Sequence, residues 1–201
     1  MRPKLLHSPA RERLLERAQE LMLTKGFVAT TVDEICKAAG LTKGTFFHYF
    51  KNKEELGKAT LDRFFRSQLE MVGRGSFRKK TDPLERLYGW ADSVIEASKT
   101  PMARKGCLLG NFSQELSDTH PEIRSECAQR FSEWTALLKK ELDEAKVRYL
   151  PRSSLDTEGL AEHFIAVLQG SLILAKAKQD FGAVEKNLGH FKRYLKMVFG
   201  K

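Results

Sequence analysis

At 201 residues, with a hydrophobic fraction of 41% and a formal net charge of +9, the chain is long and apolar enough to bury a core and basic enough to suit a polyanionic partner. General disorder is excluded, and the three widely spaced cysteines, Cys36, Cys107 and Cys127, form no CxxC pair and no zinc-ligand spacing with the histidines. No metal or cofactor is expected, and free thiols suit a reducing cytoplasm. The chain opens without an apolar stretch of signal-peptide type. Its longest apolar run, Phe164 to Ala177, is interrupted by Gln169, Gly170, Ser171 and Lys176 and reads as too short for a bilayer. A cytoplasmic protein without a membrane partner is expected.

Apolar residues recur at helical spacing almost throughout, with no sustained alternation, so the expected fold is all-α. Ser8-Pro9 opens a first helix whose inner face is Leu14, Leu15, Ala18, Leu21 and Met22, and Gly26 closes it. Thr31-Val32-Asp33-Glu34 is a capping box for a short second helix, with Val32, Ile35, Cys36 and Ala39 inward and Gly40 at its end. Thr42 caps a third, Lys43 to Tyr49. Asn52 to Glu55 starts a long fourth, reaching about Val72. Gly73 to Thr81, with two glycines, four cations and no apolar stripe, predicts a mobile connector.

Asp82-Pro83-Leu84-Glu85 restarts helix to about Lys99, and another covers about Lys105 to Leu116. Pro121 opens a long helix through Phe131, Trp134 and Leu142. Asp156 caps one to about Gln179, and the last runs from Val184 to Phe199. About nine helices result, as a three-helix head followed by a larger helical body.

The head carries the chemistry. Two short helices joined by the tight Ala39-Gly40-Leu41-Thr42 turn form a helix-turn-helix, glycine permitting the positive φ that reverses the chain. The second helix, entering a major groove about 12 Å wide by its N-terminus, would present Lys43, Thr45, His48 and Tyr49. Phe46 and Phe50 would hold it against the first helix. The rings from Phe46 to Phe50 cannot all face inward at 3.6 residues per turn. Some must be exposed, and exposed rings beside cations ask for a partner.

Gly26-Phe27, Thr30 to Ile35, and the run from Ala38 through Phe46-Phe47-His48-Tyr49-Phe50 to Leu56 resemble the DNA-binding signature of the TetR family of repressors. The resemblance implies double-stranded operator DNA as a partner, a small-molecule effector and a homodimer. It implies a DNA-binding domain over 1–53 and a ligand-binding and dimerisation domain over 54–201. It places Thr31 on phosphate at a helix N-terminus. Thr42, Lys43, Gly44 and Thr45 fall near base edges, and Tyr49 and Lys53 on phosphate. Phe47 stands where the family often has tyrosine, so it packs on sugar or a thymine methyl. His48 is either a base or phosphate contact or an ordinary surface residue.

In the body, Phe164, Leu168 and Leu172, with Phe191, Leu195 and Phe199, form stripes on the last two helices, and the resemblance makes them a four-helix dimer interface. Trp90, Met102, Phe112, Phe131, Trp134 and Phe164 are candidate pocket lining or ordinary core, with His163, Asn111 and Gln114 as polar anchors. Cys107, among Arg104, Lys105 and Gly106 near a helix start, is also a pocket candidate. It is either a reactive sensor thiol, as in an electrophile- and oxidant-responsive subgroup whose sequence is similar here, or a buried small hydrophobe. The expected function is operator-specific regulation of transcription, with repression relieved by an inducer or by cysteine modification. The alternative is a sequence-indifferent architectural DNA binder. No catalytic constellation is evident, so no enzyme is expected.

Overall fold

The computed structural model describes residues 8–201; the first seven residues of the expected 1–53 head lie outside the described residues. Nine α-helices and no strands occur among them: α1 Pro9–Lys25, α2 Val32–Ala39, α3 Lys43–Tyr49, α4 Lys53–Arg74, α5 Pro83–Ser98, α6 Leu108–Leu116, α7 Pro121–Tyr149, α8 Thr157–Lys178 and α9 Gly182–Phe199. Short 3₁₀ turns cover Ser76–Lys79 and Ala103–Lys105. Packing divides the chain into two compact units. One is residues 8–68 with 107–129, and the other is residues 69–106 with 130–201.

The first unit is built around α1, whose Leu14, Leu15, Ala18, Met22 and Leu23 are buried. Leu21, expected inward, is only half-buried. Thr31 caps α2 through a complete capping box with Glu34, and Gly40 ends α2 in the left-handed conformation at φ 62°. Thr42 then caps α3, its hydroxyl accepting the N–H of Thr45 at 3.1 Å. Asn52 caps α4 by accepting the N–H of Glu55 at 2.8 Å. α6 begins at Leu108 rather than about Lys105, because Gly106 takes a positive φ and Cys107 becomes the N-cap.

In the second unit, residues 73–81 are not the expected connector without structure. Phe77 is buried inside the 3₁₀ turn and packs its ring base where a Cβ on Gly89 would sit. Arg78 and Arg86 both reach Glu141 on α7, at 3.1 and 2.5 Å, and Arg86 also donates to the carbonyls of Lys80 and Thr81. Glu141 is 4% exposed, so these two guanidinium groups balance a buried carboxylate. Of the four cations that suggested mobility, Arg78 is one of the groups that tie the segment down.

α8 packs on α9 along Leu160, Phe164, Leu168 and Ala175, with the Phe164 and Phe191 rings edge-on at 5.3 Å. At 22 residues, with an 18-residue stretch of mean hydropathy 1.3, α8 has the length and composition to cross a membrane, longer than the run from Phe164 to Ala177 suggested. A buried core helix has the same composition, and the inner face of α8 is one.

Candidate nucleic-acid interface

α2 and α3 owe their arrangement to three local devices: the capping box at Thr31, the left-handed Gly40, and the Thr42 cap. The turn closes with the N–H of Leu41 donating to the carbonyl of Cys36 at 2.9 Å. Cys36, as expected, lies in the core, and burial pushes its thiol pKa up. Phe46 and Phe50 are buried with centroids 5.8 Å apart, and the Arg11 guanidinium lies 5.3 Å from the Phe50 centroid.

The opposite face of α3 is open. Phe47 is 58% exposed, the largest exposed ring of the head, and touches Phe46 edge-on at 5.1 Å. His48 is exposed and packs edge-on against Tyr49 at 4.8 Å. Tyr49 is half-buried, and its hydroxyl shares a 2.7 Å hydrogen bond with that of Ser8. Thr42, Lys43 and Gly44 are exposed, with Thr45 half-buried behind them. The Lys43 ammonium is 2.8 Å from Asp33, which raises its pKa. Both side chains are solvated, so the pair opens at little cost. A Cβ added to Gly44 would meet only the Thr42 hydroxyl, at 3.6 Å. Nothing inside the chain requires glycine there.

Two expected phosphate contacts are differently occupied. The Thr31 hydroxyl donates to Glu34 Oε2 at 2.8 Å and accepts the Glu34 N–H, while Lys25 reaches Glu34 Oε1 at 2.5 Å. The Lys25 and Thr31 hydrogen bonds hold the exposed Glu34 carboxyl at about 2, far below 4.5. With its hydroxyl spent on the cap, Thr31 offers an anion only the amides of the α2 first turn.

Lys53 departs further. Its ammonium donates to the carbonyls of Phe27, Val28 and Thr30 at 2.9, 3.2 and 2.9 Å, and it lies 4.5 Å from the Phe27 ring centroid. An ammonium has three N–H donors. All three are filled, so Lys53 braces the protein instead of facing phosphate. Burial lowers its pKa, with the negative charge of Glu115 acting in the opposite direction. Beside the open face, Lys37 on α2 and Lys51 just after α3 have exposed side chains that make no ion pair among the described residues. Sequence reasoning passed over both. Their signal was position: one on the outer side of α2, the other directly after the ring run.

The expected effector residues do not converge in one described cavity. Phe112 and Cys107 are buried in the first unit, where the Phe112 ring meets Phe27 edge-on at 5.5 Å. Trp90, Trp134 and Phe164 are buried in the second unit, Phe131 is half-buried, and Met102 is exposed. Gln114 donates to its own helix at Gly110. His163 faces outward, stacked on Tyr194 at 5.7 Å in an apolar groove of about 450 Å³ on the α8–α9 surface. Trp90, expected as pocket lining, has a buried Nε1, and Tyr88 and Gln169, which the sequence reading did not assign to the pocket, have a buried hydroxyl and Nε2; none of the three has a hydrogen-bond partner among the described residues.

The expected dimer residues are corrected in the same way. Phe164, Leu168, Phe191, Leu195 and Phe199 are buried within the chain itself, and Leu172 is half-buried. Apolar residues run almost around α8, so a stripe alone does not say which side is inside. The outward apolar residues are Val167, Gly170, Ile173 and Leu174 of α8 with Tyr194 and Met197 of α9.

A capped, glycine-turned helix pair that projects rings and cations, carried by an all-α chain, defines a DNA-binding transcriptional regulator. Residues 14–68 match the model of bacterial regulatory proteins of the tetR family, and residues 83–191 match the tetracyclin repressor-like C-terminal domain. The chain is 28% identical over 195 residues to the HTH-type transcriptional repressor DhaR of Mycobacterium sp. (strain GP1), covering 97% of this chain and 93% of that one. It is 26% identical over 191 residues to the HTH-type transcriptional repressor NemR of Escherichia coli (strain K12), covering 92% and 93%. The crystal structure of the regulatory protein TetR from Rhodobacter sphaeroides superposes with a TM-score of 0.83 at 26% identity, covering 92% of this chain and 98% of that one. The chain belongs to the TetR family.

Proposed function

We propose that the protein is a repressor that binds a near-palindromic operator as a homodimer, through α3 in the major groove, and leaves it when an effector binds. The observation that carries this reading is the outer face of α3. An exposed Phe47 beside Lys43, His48 and Tyr49 is costly in water and suited to a groove. Gly44 adds a second sign, since only an outside surface gives its missing side chain a purpose. Thr42, Lys43, Gly44 and Thr45 approach base edges, Phe47 packs on sugar or a thymine methyl, and His48 and Tyr49 reach base or phosphate. Lys37 and Lys51 supply phosphate-directed charge, and the amides of the first turn of α2, after Thr31, receive a phosphate.

The DNA-reading function resides in residues 1–53, and effector binding and dimerisation in 54–201. One head offers too few contacts for the affinity of about 10⁻⁸ M or tighter expected of a specific regulator, and a twofold dimer doubles them. The surface suited to a second copy is the outward α8–α9 face around Val167, Leu174, Tyr194 and Met197. The buried, unpaired N–H of Trp90 supplies a donor for an effector carrying an acceptor oxygen. A second reading of release, by covalent modification, places it at Cys107, the N-cap of α6, whose buried thiol must first be uncovered. The protein acts in the cytoplasm, where its DNA partner is.

The test is a competition mobility-shift assay with an operator fragment. Preference for the operator over random duplex by about 10³-fold or more, lost in Phe47→Ala and Tyr49→Ala, supports the reading. Equal competition by random DNA would replace it with the architectural one.

A further inference from the structure

The segment between α1 and α2 is held from two sides by charged groups distant in the chain. Glu115, in the last turn of α6, accepts the N–H of Phe27 on Oε2 and the N–H of Val28 on Oε1, both at 2.8 Å. From the other side, the Lys53 ammonium takes the carbonyls of Phe27, Val28 and Thr30. The Phe27 ring is boxed edge-on by Phe112 at 5.5 Å and His120 at 5.3 Å, and a Cβ on Gly57 would come within 2.8 Å of it. The Thr30 hydroxyl closes the segment on the Gly26 carbonyl at 2.6 Å.

Water would satisfy the amides of an ordinary surface loop, and Val28 here is exposed. A two-oxygen grip on consecutive amides fixes the orientations of two successive peptide planes, Gly26–Phe27 and Phe27–Val28. Thr31 follows three residues later as the α2 cap, and α2 is joined to α3 by the rigid Gly40 turn. The stance of the reading helix is therefore set from the two peptides Glu115 holds. Phe112 lies on the same helix as Glu115, so α6 engages the segment by ring and carboxylate together.

We infer that Glu115 is a positioning residue for operator binding: through the Phe27 and Val28 amides it sets the stance of α2 and α3. This rests on the proposed DNA-reading function. α6 is a rod about 14 Å long, with Cys107 as its N-cap and Glu115 near its other end. A shift of about 1 Å carries both 2.8 Å contacts beyond hydrogen-bonding range at once, because both oxygens belong to one carboxylate.

The test uses the full chain and a duplex that the wild-type protein selects from a random pool. Glu115→Gln is nearly isosteric, but its amide NH₂ faces one of the two N–H groups it must accept. Glu115→Ala removes the grip. We expect operator affinity to fall at least about tenfold in both variants, with random-duplex affinity unchanged within about threefold. Amide exchange at Phe27 and Val28 should accelerate. Unchanged operator affinity overturns the inference, as does a parallel loss on operator and random DNA with a lowered melting temperature, which marks a merely structural role. Glu115→Gln keeps the test open should Glu115→Ala fold poorly. A wild-type protein that enriches no sequence overturns the DNA-reading function itself, and this control is read before either variant.

Discussion

Replacing Gly44 with alanine separates what the fold wants from what the operator wants. Gly44 is the second residue of α3, its backbone is not left-handed, and an added methyl would make one ordinary contact with Thr42 at 3.6 Å. Alanine should therefore stabilise the free protein by about 0.5–1 kcal/mol, raising the melting temperature by about 1–4 °C for a chain of this size. On the proposed docking, the same methyl would sit where backbone approaches base edges. If it costs each head one base contact of about 1–3 kcal/mol, two heads lose about 2–6 kcal/mol, or about 30-fold to 10⁴-fold in affinity. Fluorescence anisotropy with a labelled operator at fixed salt measures the second effect, and thermal denaturation the first. A Gly44→Ala protein that is more stable and binds within threefold of wild type would show that the N-terminus of α3 does not approach the bases.

Salt dependence sorts the two lysines that follow the ring run. Lys51→Ala should reduce the slope of log K against log salt by about 0.9 per head, whereas Lys53→Met, with no phosphate to release, should leave the slope and lower the melting temperature. Glu34 ionises near pH 2 when folded against an ordinary 4.5, so its contribution to stability is complete above about pH 4.5 and is lost as pH falls toward 2. Glu34→Gln should flatten that part of the melting-temperature profile. Arg86→Met leaves Glu141 buried with Arg78 alone and should cost about 3 kcal/mol by denaturant unfolding; a loss below about 0.5 kcal/mol would mean the network is solvated. Leu174→Glu with Met197→Glu should yield folded monomers in sedimentation, while Leu195→Ala should lower stability by about 2–5 kcal/mol without that selectivity.

The helix order and the reading head were legible because their signals are local. Capping at Thr31, Thr42, Asp82 and Asp156 and the turn at Gly40 are each decided within four residues of sequence. What stayed hidden depends on partners far away in the chain. Nothing near Lys53 says that its ammonium meets carbonyls from residues 27–30, and nothing near Arg78 announces Glu141. The 73–81 stretch lacks an apolar stripe because a single ring, Phe77, anchors it. On α8 the difficulty was an excess of signal, as both faces are apolar and only packing distinguishes the covered one.

The grip of Glu115 and the Phe112–His120 box also bear on how freely this reading head can be moved. A fragment ending just after α3 would carry Thr42 to Tyr49 intact and yet expose the Phe27 ring and leave two backbone amides of the segment before α2 without the carboxylate that orients them. Grafting the operator preference of this protein onto a sister regulator therefore requires transplanting residues 107–129 as well. The unit of exchange is discontinuous in sequence, and a hybrid joined at a single seam should fold its helices and read DNA poorly.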